Sequence, residues 1–249
     1  MAVRVIAVIP ARLGSRRFPG KVLYPFRGKP LLYYVWREVR RSKRIDRLVV
    51  ATDSAEIARA AEQFGAEVFR STRRHATGSD RAAEVASRID GDFILNIQGD
   101  NFGLTGRLLD RTISSFTADH RFQCGTMATR IKSDDELFNP NAVKVVVSKS
   151  GEALWFSRFP VPFIQHPTPG ARVTQYPFRK HIGVYLFRRT ALQRFARLPR
   201  SPLEKTESLE QLRLLGDGVR MRVYDVSLRT VSVDSRGDID KLGLLYKLR

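Results

Sequence analysis

Cysteine is almost absent from this 249-residue chain: Cys124 stands alone, so no intrachain disulfide can form. A reducing compartment is the default expectation, and with no CxxC pair and few histidines there is no zinc-ligand spacing either. No apolar run approaches the roughly 20 residues that a bilayer requires. The N-terminal apolar stretch is short and holds an arginine, unlike a signal peptide. A soluble, cytoplasmic protein without membrane contact is expected. Internal repeats and low-complexity segments are also missing. Acidic residues are scarce: 25 Asp and Glu face 44 Lys and Arg, a formal net charge of +19. Such a balance suits a solvated cationic surface, an anionic small substrate, nucleic acid or an acidic membrane face, and charge alone does not choose among them. Because 43% of residues are hydrophobic, the chain can bury a core and is no disordered basic tail.

Two familiar nucleotide loops are missing as well. In "IPARLGSRRFPGK", Gly14 and Gly20 enclose five residues and Lys21 precedes Val22, so the spacing and hydroxyl of a P-loop are not met. The G-x-G-x-x-G fingerprint does not occur. What is present is a basic, glycine-containing loop directly after the apolar run of residues 3 to 9. Glycine lets a backbone approach an anion, and arginine forks and lysine bind phosphate oxygens. The alternative is a solvated basic turn.

Strand and helix patterns alternate over the first 100 residues. Strands are expected at 3–9, 47–53, 66–71 and 91–100, and helices at 30–42, 54–65 and 79–89, with Ser54 as an N-cap and Gly65 as a stop. That order predicts an α/β fold, a mostly parallel sheet with helices on both faces and ligands at the strands' carboxyl ends. Residues of about 120–200 read as a smaller antiparallel insertion within one domain, and as the dimerisation region. "SPLEKTESLEQLRLL" (201–215) predicts one strong helix with Ser201 as N-cap. "TVSVD" predicts a strand ending on Asp234, followed by a terminal helix. Asp100 follows "FILNIQG" and Asp234 follows "TVSV"; if both strands share the parallel sheet, both carboxylates lie on its ligand edge, where Mg2+ takes one or two carboxylates plus phosphate oxygens.

"IPARLGSRRFPGK", "GKPLL", "VVATD", "TGSDR", "NIQGD", "FNPNAVKVV", "FSRFPVP", "KHIGVYLF", "SPLEKTESLEQLR" and "SVD" occur in this order over nearly the whole chain. In these segments it resembles the 3-deoxy-manno-octulosonate (Kdo) cytidylyltransferases, with CMP-sialic acid synthetases as more distant relatives. The resemblance implies a Rossmann-like, glycosyltransferase-A-like nucleotidyltransferase fold, a homodimer, and a place in lipopolysaccharide biosynthesis. It implies CMP transfer from CTP to an acidic acceptor with release of pyrophosphate. Arg12, Arg17, Lys21 and Asp100 would be catalytic. Ala11, Arg12, Leu13, Gly14, Ser15 and Lys21 would hold the nucleotide with Thr77, Gly78, Ser79, Arg81 and Gln98. Gln98, Asn101, Arg158, His181, Glu210 and Gln211 would line the acceptor pocket, and Asp100 and Asp234 would bind Mg2+.

The pattern breaks after Asp100. The family's usual Glu-Pro is Asn101-Phe102 here, and the closing motif keeps Asp234 but not its flanks. Fewer acids beside a basic site would suit an acceptor with extra negative charge, such as a phosphonate. A non-catalytic nucleic-acid-binding role rests on charge alone, without any recognisable signature.

Overall fold

The computed structural model describes residues 3–14, 18–168, 170–228, 231–233 and 237–247. Two compact units are formed. One comprises Met1–His120, Val184–Ala196 and Leu228–Arg249, the other Arg121–Gly183 and Arg197–Ser227.

In the first unit β1 (Val5–Pro10), α1 (Leu31–Arg40), β2 (Arg47–Thr52), α2 (Ala55–Gln63), β3 (Glu67–Arg70), α3 (Gly78–Arg88) and β4 (Phe93–Ile97) alternate as the sequence predicts. The strands lie in the order β4-β1-β2-β3, all parallel, with Val8 opposite both Val49 and Asn96. Ile6 to Ile9 and Ile94 to Ile97 are buried throughout, as a central parallel strand covered on both faces requires. Helix starts follow local chemistry. The Ser54 hydroxyl accepts from the Ile57 amide at 3.3 Å, and Gly65, at φ 84°, turns the chain out of α2. A Thr77–Asp80 capping box opens α3 at Gly78. A two-residue strand, β5 (Asn101–Phe102), and α4 (Gly106–Ala118) complete this stretch.

The second unit holds β6 (Cys124–Arg130), α5 (Asp134–Phe138), β7 (Lys144–Val147), β8 (Ala153–Ser157) and the first half of β9 (Arg179–Arg188). After α6 (Arg189–Arg197) it adds α7 (Pro202–Glu207), α8 (Gln211–Gly216) and β10 (Met221–Asp225). β7 runs antiparallel to β8 and to Arg179 and Lys180 of β9, whereas β6 and β10 are parallel. Cys124 is buried and free, and burial pushes its thiol pKa up, which leaves it unreactive.

Residues 201–215 do not form one helix. Ser201 caps α7 and Pro202 is its first residue, as expected, but Ser208 adopts φ 52°, ψ 47° and the chain restarts at α8. The break is held from outside the segment. Arg158 donates to the carbonyls of Glu207 and Ser208 at 2.6 and 3.3 Å, and the Glu207 carboxylate accepts from the Ser157 hydroxyl and the Arg158 amide.

Back in the first unit, residues 184–188 of β9 pair antiparallel with β4, giving the parallel sheet one antiparallel edge. β11 (Val231–Ser232) does not join that sheet. It pairs antiparallel with β5, Ser232 opposite Asn101, and is followed by α9 (Asp238–Lys247). The fold is thus α/β, a mostly parallel sheet flanked by helices with a small antiparallel sheet beside it.

Candidate active site

The basic loop leaves β1 still hydrogen-bonded as a strand, the Ala11 amide to the Ala51 carbonyl at 2.9 Å. It closes where the Gly20 amide meets the Leu13 carbonyl at 2.9 Å. Gly20 sits at φ 69°, a conformation open to glycine at little cost. Phe18 is buried edge-on against Tyr24 and anchors the loop, whose Arg12 and Gly14 are exposed. Ser15 and Arg17 lie outside the described residues.

The loop ends at Lys21, where two of the four expected catalytic groups, Lys21 and Asp100, meet. Its ammonium pairs with the Asp100 carboxylate and donates to the Val233 carbonyl at 3.1 Å. Asp100 is presented by a tight turn after β4, in which the Asn101 amide bonds the Gln98 carbonyl at 3.1 Å. Asp234 itself lies outside the described residues, but its neighbour Val233 is at this point. The β5–β11 pairing brings it there, rather than the shared parallel sheet that the sequence suggested. Val233 gave no sequence signal, because its part is played by a backbone carbonyl. Among the described residues no three Asp, Glu, His or Cys side chains cluster as a ready-made metal cage. Asp100, with a third of its side chain exposed beside a lysine, is instead the donor type Mg2+ shares with phosphate oxygens, so this carboxylate fits that ion.

Thr77 caps α3, and Gly78 has a definite reason to be glycine. A Cβ there would come within 2.6 Å of the Gln98 side-chain nitrogen, so Gln98 packs against the helix start. Ser79 is buried and its hydroxyl accepts from the Asn96 side-chain Nδ2 at 3.0 Å. Arg81 is buried too. Its guanidinium donates to the carbonyls of Ala11 (2.9 Å) and Ala51 (3.4 Å) and to the Asp53 carboxylate (2.9 Å), tying the ends of β1 and β2 together. Burial alone would raise the Asp53 pKa; the Arg81 hydrogen bond and charge outweigh it and hold it below the usual range.

Of the expected acceptor residues, Gln98 and Asn101 belong to the first unit and Arg158, His181, Glu210 and Gln211 to the second. Arg158 spends its guanidinium on the carbonyls of Glu207, Ser208 and Pro140. Glu210 and the buried Gln211 begin α8 just past the break that Arg158 holds. The His181 ring packs edge-on against Phe156 and bonds the Thr126 hydroxyl at 2.8 Å; although the residue keeps some exposed surface, burial of the imidazole pushes its pKa down to about 3. Lys144, overlooked in the sequence, is buried with its ammonium on the Asn139 carbonyl at 3.0 Å. Burial and then the charge of Arg158 lower its pKa to about 8.

A cytidylyltransferase family model matches residues 6–221. The 3-deoxy-manno-octulosonate cytidylyltransferase of Geobacter metallireducens is 40% identical over 245 residues, 96% of each chain. The chain belongs to the 3-deoxy-manno-octulosonate cytidylyltransferase family. It is therefore a nucleotidyltransferase. The family member from Chlorobium limicola is 41% identical over 240 residues, covering 96% of this chain and 95% of its own. A solved CMP:2-keto-3-deoxy-manno-octonic acid synthetase complexed with CTP superposes with a TM-score of 0.88 at 32% identity, over 98% of this cytidylyltransferase and 99% of that chain. A Bacillus anthracis glucose-1-phosphate thymidylyltransferase shares the fold alone, with a TM-score of 0.66 at 15% identity.

Proposed function

We propose that this cytidylyltransferase transfers CMP from CTP to Kdo or a related 3-deoxy sugar acid and releases pyrophosphate. The observation that carries the reading is the meeting of Lys21, Asp100 and Val233 at the end of the basic loop. An acceptor hydroxyl attacks the α-phosphorus, the bond to the β-phosphate oxygen breaks, and pyrophosphate leaves with that electron pair. Arg12, Arg17 and Lys21 neutralise the charge that grows on the leaving group, so catalysis is mainly positioning and electrostatics. Asp100 and Asp234 would hold Mg2+, which when bound neutralises phosphate charge and polarises the attacked phosphorus. Lys21 has two roles in sequence: it keeps the Asp100 carboxylate in place before substrate arrives, then turns to the phosphates.

Pyrophosphate release from CTP should require both Mg2+ and an acceptor, and Asp100→Ala should lower it by about a hundred- to a thousandfold, the scale seen when a group stabilising transition-state charge is removed. Undiminished turnover in that variant would remove the assignment.

A second reading, CMP transfer to a phosphonate, is favoured by one residue. Phe102 is 1% exposed and packs inside the unit, so the departure from Glu-Pro reduces to Asn101, which is part-exposed beside Asp100. Replacing a carboxylate by an amide removes one negative charge next to an anionic acceptor. Assaying Kdo and small phosphonates side by side with CTP decides between the two. A homodimer through the second unit is supported by the exposed side chains of Phe138, Leu154, Phe159 and Phe163, all of which lie in that unit.

A further inference from the structure

The loop and the acceptor residues leave a basic, tyrosine-walled cavity of the first unit unused. Its volume is about 380 Å3 and Arg27, Tyr34, Arg37, Glu38, Arg41 and Tyr246 line it. None of these belongs to the segments assigned above to nucleotide, metal or acceptor.

Arg27 reaches the cavity from the turn of a hairpin, Pro25–Phe26 with Lys29–Pro30, and has φ 46° with Gly28 at φ 78°. A two-residue turn with both φ values positive favours Asn, Asp or Gly at its first position, so an arginine here is held against local preference. Arg37 and Arg41 follow from the end of α1. The Arg37 guanidinium lies 5.8, 5.4 and 5.7 Å from the ring centres of Tyr33, Tyr34 and Tyr246, which fixes its plane.

The charges do not balance. Glu38 is the one carboxylate of the lining, is buried, and already accepts from Arg37 (3.2 and 3.0 Å) and Arg41 (2.9 and 3.1 Å). Among the described residues Arg27 has no carboxylate partner; it donates to the Gly243 carbonyl at 3.4 Å. Three guanidinium groups therefore surround one carboxylate that two of them already engage, and among the described residues Arg27 and Arg41 keep N–H groups unused. Guanidinium forks facing a concavity bind tetrahedral oxyanions in pairs. Arg37 lies against all three tyrosine rings, so a base stacking there would compete with a guanidinium already in place.

We propose that this cavity binds the phosphate group of a small phosphorylated molecule, held between Arg27 and Arg41 with Arg37 behind it. The inference rests on the residues above and stands whether or not the proposed acceptor is right. Inorganic pyrophosphate, the product of the proposed reaction, and a sugar phosphate carry the same group, and both serve as probes.

Calorimetric titration of each probe into the Lys21→Ala variant, whose nucleotide loop is impaired, should show one saturable site. Adding Arg27→Gln and Arg41→Gln should weaken it at least tenfold, and Arg40→Gln, whose guanidinium stacks on Trp36 outside the cavity, should leave it unchanged. Tighter binding of pyrophosphate would assign the site to the product, tighter binding of the sugar ester to a phosphorylated metabolite. Absence of binding to Lys21→Ala, or binding indifferent to the arginine substitutions, would overturn the proposal. Should the combined variant fail to fold, Arg41→Gln alone, on a side chain 63% exposed, should still weaken binding at least threefold, and no change there would overturn it as well.

Discussion

Arg81 shows how a motif residue can serve a site without facing it. Its buried guanidinium gathers the Ala11 and Ala51 carbonyls and Asp53, the carboxyl ends of the two strands that carry the nucleotide loop and its neighbour. A lysine keeps the charge but cannot span three acceptors in one plane. Arg81→Lys should therefore raise KM for CTP about tenfold, on the order of the 1–3 kcal/mol of a lost buried hydrogen bond, while kcat changes by less than threefold. Equal losses in kcat and kcat/KM would instead mean that Arg81 touches the transition state. His181 makes a pH prediction. Its folded pKa near 3 lies below the ordinary 6.5, so between those values the unfolded chain binds the extra proton. Stability should rise with pH from 3 to 6.5 through this group and be independent of it above. The His181 ring resonance in an NMR titration should show no midpoint between pH 5 and 8; a midpoint near 6.5 would refute the buried neutral imidazole.

At the scale of elements, the decisive feature is the break between α7 and α8. Local propensity favours one helix across 201–215. Tertiary bonds some fifty residues apart in the chain win instead, because Arg158 satisfies the carbonyls that the broken helix exposes. The break also lets Arg213 fold back on Glu204, both nitrogens at 2.7 Å, with side chains 3% and 1% exposed. Removing the Glu204 charge leaves the buried Arg213 guanidinium without its carboxylate, so Glu204→Gln should cost about 3–5 kcal/mol. Denaturant unfolding measures it, and Glu204→Leu combined with Arg213→Leu should recover most of the loss. A second element-scale departure is β11: a two-residue strand carries too little pattern to say which sheet it joins, and its pairing with β5 was invisible in the sequence.

For the whole molecule, the net charge of +19 is the dominant fact. Like charges spread over one chain repel, and salt shortens their reach from about 30 Å at 0.01 M to about 8 Å at 0.15 M. The melting temperature should rise across that range of sodium chloride; a flat or falling curve would mean that local ion pairs such as Arg47–Glu67 outweigh the repulsion. No helix among the described residues is long and apolar enough to cross a membrane.

The sequence by itself determined the alternating elements of the first 100 residues, the caps at Ser54 and Ser201, the basic loop and the family. These are written in local terms: periodicity, turn residues and ordered motifs need no knowledge of distant partners. Only the tertiary structure decided that Lys21 sits between Asp100 and the Val233 carbonyl, that Ser79 and Arg81 turn inward, that Phe102 belongs to the core while Asn101 stays part-exposed, and that the helix at 201–215 breaks. In each case the outcome depends on which distant groups a side chain packs against or bonds, and that is settled by tertiary packing rather than by neighbouring residues.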